Sequence, residues 1–85
     1  MTPVMLARLR AASEYVMAEL ANKTSAQDII AGLVANHRAF YRRGDPNTLR
    51  VAGVTATCTS SADKGLLGYW QRSATVRIAT EATNG

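Results

Sequence analysis

Residues 26–43 read AQDIIAGLVANHRAFYRR, and they put an apolar stripe and an arginine cluster on one short stretch of chain. Ile29, Ile30, Leu33, Val34, Phe40 and Tyr41 recur at helical spacing on one face. The pattern predicts a helix over 25–43. Arg38, Arg42 and Arg43 crowd its C-terminal end, and Arg50 follows just beyond. Such a helix carries core residues on one side and delivers positive charge to a surface at its end. Gly32 inside it costs about 1 kcal/mol relative to alanine, which suggests a close approach by a neighbour. Gly44 suits the residue after a helix, and Asp45-Pro46-Asn47 suits a turn.

Upstream, Thr2-Pro3 is a helix start, an N-cap hydroxyl followed by proline at the first helical position. Met5, Leu9, Ala12, Val16 and Leu20 continue the helical period, so a first helix is predicted over 3–21. Asn22 and Lys23 suit its end, the first by tolerance of left-handed backbone, the second by charge. Thr24 with Gln27, or Ser25 with Asp28, forms a capping box for the second helix. The link is so short that the two helices should fold back as an αα-hairpin.

Downstream the composition changes. Residues 48–58 are rich in Val and Thr without a helical period, which predicts a strand. Residues 60–65 read as a loop and 74–80 as a second strand with Val76 and Ile78 on one face. Between them, Leu66 to Arg72 fits a middle strand, a short helix begun at Ser61 or an apolar loop; Gly65 and Gly68 argue against the helix and favour a short strand or ordered loop. Thr83 to Gly85 reads as a frayed tail. The expected fold is therefore α+β. An N-terminal αα-hairpin packs on a small antiparallel sheet of two or three strands, in one domain over 1–85. The predicted core is Leu9, Val16, Leu20, Ile30, Leu33, Phe40, Val51 and Ile78.

Composition narrows the function. The chain has 85 residues, 47% of them apolar and 19% charged, which fits neither a disordered chain nor a disulfide scaffold. Ten basic residues against six acidic ones give a net charge of +4. Lys23 and Lys64 are the only lysines, and arginine supplies the rest. This balance favours an anionic partner: nucleic acid, a nucleoprotein or an acidic protein patch. One cysteine, Cys58, cannot close an internal disulfide, which suits a reducing cytoplasm. Neither a membrane-spanning run nor a signal peptide is expected, because Arg8 and Arg10 interrupt the N-terminal apolar pattern.

Chemistry-bearing motifs are sparse. His37 and Cys58 are the single histidine and cysteine; a Cys–His dyad is conceivable, but a core-edge histidine and a small buried thiol account for them more simply. No ligand set for zinc or calcium and no phosphate-binding loop can be read, so no metal or cofactor is expected. The Gly65–Gly68 spacing lacks the helical context of a KH-type loop.

Two groups remain as a partner-binding surface: Arg38, Arg42, Arg43 and Arg50, and a second patch of Tyr69, Trp70 and Arg72. Arginine forks make paired bonds to carboxylate or phosphate, and Trp, Tyr and Arg are the usual anchors of interfaces. The leading expectation is a non-enzymatic protein that docks on a larger protein or nucleoprotein complex with an acidic surface and blocks a site there. Small accessory proteins of phages and mobile elements, inhibitors of anti-CRISPR type among them, share this size and character. Direct nucleic-acid binding and a phage structural or assembly role are the alternatives, and a homodimer is compatible with each. An enzyme is the least expected class.

Overall fold

A computed structural model of the protein describes residues 1–59 and 63–84, the last of these without its side chain. The architecture is α+β, with two N-terminal helices followed by a small antiparallel sheet, as the sequence predicts. The order is α1 (Pro3–Ala21), α2 (Ala26–Asn36), β1 (Phe40–Arg42), β2 (Asn47–Val51), β3 (Val54–Cys58) and α3 (Asp63–Asn84).

The N-cap signals act as expected, while at the end of α1 the left-handed residue is Lys23 and not Asn22, whose φ is -82°. Thr2 Oγ1 accepts the Met5 N–H at 3.1 Å, and Ser25 Oγ accepts the Asp28 N–H at 3.2 Å. Lys23 takes a left-handed φ of 60° and ends α1. There the Lys23 N–H returns to the Leu20 carbonyl, and the Thr24 N–H to that of Glu19, both at 3.0 Å. This double closure satisfies carbonyls the helix end would leave open. Gly32 has the neighbour its cost implied. A Cβ there would run into the Tyr15 hydroxyl and come within 2.8 Å of Tyr15 Cζ.

Three expectations need correction. First, α2 stops at Asn36. His37 caps it, Arg38 turns to a φ of 55°, and the Ala39 N–H closes back on the Leu33 carbonyl at 3.2 Å. The chain then extends, so Phe40, Tyr41 and Arg42 form an edge strand, and Gly44 belongs to the β1–β2 turn. Second, the strand expected over 48–58 is a hairpin. Ala52 and Gly53 both take positive φ, 50° and 81°, which makes the two-residue turn whose twist matches the flanking strands. Third, residues expected as loop, strand and tail belong to a 22-residue helix, α3. Of those expected in the loop and tail, positions 60–62 and 85 lie outside the described residues.

Helix α3 forms despite its glycines and β-branched residues because Leu66, Leu67, Trp70 and Ala74 make one buried stripe at helical spacing. Its threonines fit by bonding backwards. Thr75, Thr80 and Thr83 donate their hydroxyls to the Gln71, Val76 and Ala79 carbonyls at 2.9–3.0 Å. The helix lies across β2 and β3 and against both α1 and α2. It runs antiparallel to α1: Gln71 Nε2 donates to Ser13 Oγ at 3.0 Å, and Glu81 lies 3.4 Å from the Met1 amino group.

The sheet is a meander, β1-β2-β3, all antiparallel. Leu49, Val51, Val54 and Ala56 face the helices and join Leu9, Val16, Ile29, Ile30, Leu33 and Trp70 in one buried cluster. Of the predicted core, Leu9, Val16, Ile30, Leu33 and Val51 are buried, and Ile78 packs at the edge. Leu20 and Phe40 are exposed. Leu20 falls off the buried stripe at the end of α1. Phe40 is turned outward because its strand alternates, where a helix would have turned it in.

Candidate anionic-partner interface

The alternation of three strands builds the site. Side chains on paired residues share a sheet face. Phe40 pairs with Arg50 and Arg50 with Thr55; Arg42 pairs with Thr48 and Thr48 with Thr57. The inward partners are Tyr41, Leu49 and Ala56, so all six of these residues point away from the helices. The outer face of the sheet therefore carries a phenylalanine, two arginines and three threonines. Phe40 is 56% exposed there.

At the end of this face nearest the β2–β3 turn, Met5 and Arg8 of α1 approach. With Arg38, Phe40, Arg50, Ala52 and Gly53 they line an open surface cavity of about 460 Å³. The ion pairs among the described residues join Arg43 to Asp63, Arg77 to Glu81, and the Met1 amino group to Glu81. Among the described residues, Arg8, Arg38, Arg42 and Arg50 have no carboxylate at ion-pair distance. In the sequence Arg8 does not stand out as a contact residue, because it sits on a helix of core spacing. Its signal in the sequence was the charge it places one position before Leu9, against the apolar stripe.

The arginines of the sequence reading thus separate. Arg38 and Arg50 meet at the cavity, and Arg42 shares the sheet face with them. Arg38 is the left-handed residue that closes α2, whereas Arg42 and Arg43 lie beyond the helix they were expected to end, because it stops at Asn36. Arg43 turns to the helix side. Its Nε donates to the Tyr41 hydroxyl at 3.3 Å, and its Nη2 lies 3.3 Å from Asp63 Oδ2. Tyr41 in turn donates to Asp63 Oδ1 at 2.6 Å. The Tyr41 hydroxyl first, and Asp63 after it, hold the Arg43 guanidinium above the usual arginine range. This cation ties β1 to the start of α3.

The aromatic patch also divides. Trp70 is fully buried, and its Nε1 donates to the Val54 carbonyl at 3.1 Å. It is a core residue bonded to the sheet, and no partner can reach it in this conformation. Tyr69 remains exposed, with the Arg72 guanidinium 4.9 Å from its ring centroid. Arg72 also lines a groove of about 560 Å³ between α3 and β3, beside Val76 and Arg77. Tyr69 and Arg72 lie on α3, apart from the outer face of the sheet.

His37 closes α2 with its ring tilted against Tyr15, centroids 5.1 Å apart. Cys58 is half-buried at the end of β3, where it faces Gly65. Among the described residues no group of three or more His, Cys, Asp or Glu is placed to hold a metal ion, and no helix is long and apolar enough to cross a membrane. No protein-family model, curated protein or solved structure matches the chain.

Proposed function

We propose that the protein is a non-enzymatic binding protein that docks through the outer sheet face and the adjoining arginine cavity on a larger anionic protein or nucleoprotein complex, and covers a site there. One observation carries this reading. Arg8, Arg38 and Arg50, from three separate segments of the chain, converge on one cavity beside an exposed phenylalanine, with no acid among the described residues to neutralise them. Like charges gathered on a surface repel one another, and an arriving anion relieves that repulsion while its charge steers the encounter. An arginine fork adds direction, since it bonds a carboxylate or a phosphate with two parallel N–H groups.

The test separates a built site from mere net charge. The protein is bound to a heparin matrix and eluted with salt. The variant Arg38→Glu with Arg50→Glu is compared with Arg10→Glu with Lys64→Glu, which changes net charge equally at exposed positions elsewhere. Elution of the first variant at clearly lower salt than the second, with both melting like the parent, supports the site. Equal shifts mean that retention follows overall charge, and they overturn the reading.

A further inference from the structure

Resting on that reading, we infer that the occupant of this face is a single-stranded nucleic acid, with a base stacked on Phe40 and the neighbouring phosphates held by Arg8, Arg38 and Arg50. The sheet face supplies the two components such a ligand needs. A single strand presents its phosphates and the flat faces of its bases together. Proteins that bind it pair a basic track with aromatic side chains on an open surface. Here Phe40 stands in the row Phe40–Arg50–Thr55, and Arg50 and Arg38 line the same cavity as its ring.

A duplex keeps its base faces stacked inside and would meet only the charge. An acidic protein patch would satisfy the arginines, but it has no general requirement for a flat ring in their midst. Thr48, Thr55 and Thr57 share the face with Phe40. Each hydroxyl both donates and accepts, and so suits base edges and sugar oxygens of varied identity. The arrangement has no motif that reads particular bases, and the expected binding is tolerant of sequence.

The experiment is fluorescence anisotropy with labelled oligo(dT) and oligo(U), against a duplex of matched length, over a salt series. Three phosphate contacts predict a log–log salt slope of about −2 for single strands. Phe40→Ala should weaken oligo(dT) binding by about tenfold or more, and Phe40→Tyr should largely retain it, because both outward rings can stack. Phe40 is exposed on an edge strand, so all three proteins should melt alike; a melting curve for each variant checks that.

Absence of oligonucleotide binding at low salt overturns the inference. So does duplex binding as tight as single-strand binding, or affinity unmoved by Phe40→Ala. These failures are distinguishable from failure of the docking proposal. If site-dependent retention on heparin persists while oligonucleotides are ignored, the surface serves an acidic protein. If both are lost, the cavity binds no anion.

Discussion

Arg38 combines two properties in one residue. Its backbone sits at a φ of 55°, and its guanidinium lines the cavity. For an L-residue the left-handed conformation costs about 1–2 kcal/mol, and glycine escapes it. Glycine also has more freedom to lose on folding, which takes back part of the gain. Arg38→Gly should therefore raise stability by up to about 1 kcal/mol and at the same time lower the salt needed for elution from heparin. Thermal melting and elution measured on one preparation check both halves. A variant that melts lower than the parent would show that Arg38 supports the fold, and the opposition between stability and binding would be absent. The same residue explains why the sequence misleads here. Thr2-Pro3 and Asn22-Lys23 announce the limits of α1 through known cap chemistry. Asn36-His37-Arg38 repeats the asparagine-then-cation cue of Asn22-Lys23, but the stretch contains neither glycine nor proline and the apolar spacing runs on past it. Phe40 and Tyr41 lie seven and eight positions after Leu33, a spacing that a continuing helix fits as well as a new strand does.

Helix α3 shows the converse error at the scale of an element. Gly65, Gly68 and the threonines each speak for strand or loop, and in the sequence that local propensity masks the period of Leu66, Leu67, Trp70 and Ala74. Two glycines cost about 2 kcal/mol together. Burying one tryptophan outweighs that, since removing a buried Phe or Trp costs about 3–5 kcal/mol. Tertiary packing decides the conformation. The excess cost remains available to remove. Nothing lies within 4 Å of where a Cβ on Gly68 would sit. Gly68→Ala should stabilise the protein by about 0.5–1 kcal/mol, read as a higher denaturant midpoint with an unchanged slope. An unchanged or lower midpoint would mean that this turn of α3 is not regular helix in solution. The hairpin was half legible for a related reason. Val and Thr marked the strands, but the turn between them is Ala52-Gly53. Alanine at positive φ is a weaker signal than the asparagine usual there.

For the whole molecule, α3 is the shared wall of the fold: α1, α2, β2 and β3 all pack against it. Trp70 lies inside that junction and is the only tryptophan in the chain. Its emission should therefore report the loss of helix packing and sheet packing together. Thermal unfolding followed by tryptophan fluorescence and by circular dichroism at helical wavelengths should give coincident midpoints, the mark of a single cooperative transition. A fluorescence midpoint clearly below the other would show that the helices separate from the sheet before they melt. The overall class was legible because wide apolar stripes on α1 and α2 and the Val/Thr-rich run of the hairpin require an α+β solution. The site was legible only in part. Sequence proximity gathered Arg38, Arg42, Arg43 and Arg50, whereas the fold turns Arg43 to Asp63 and brings in Arg8 from thirty positions before Arg38.

The alternation along β2 and β3 has a consequence for how such a protein can change over generations. On β2, Leu49 and Val51 hold the interior while Thr48 and Arg50 look outward; on β3, Val54 and Ala56 do the first and Thr55 and Thr57 the second. Inheritance acts on these two sets almost separately, because surface substitutions away from special backbone positions usually shift stability by less than about 0.5 kcal/mol. A lineage carrying this chain can rewrite its outward alphabet, letter by letter, without renegotiating its interior. The same property makes the hairpin a convenient blank for laboratory libraries, with randomisation confined to alternate codons.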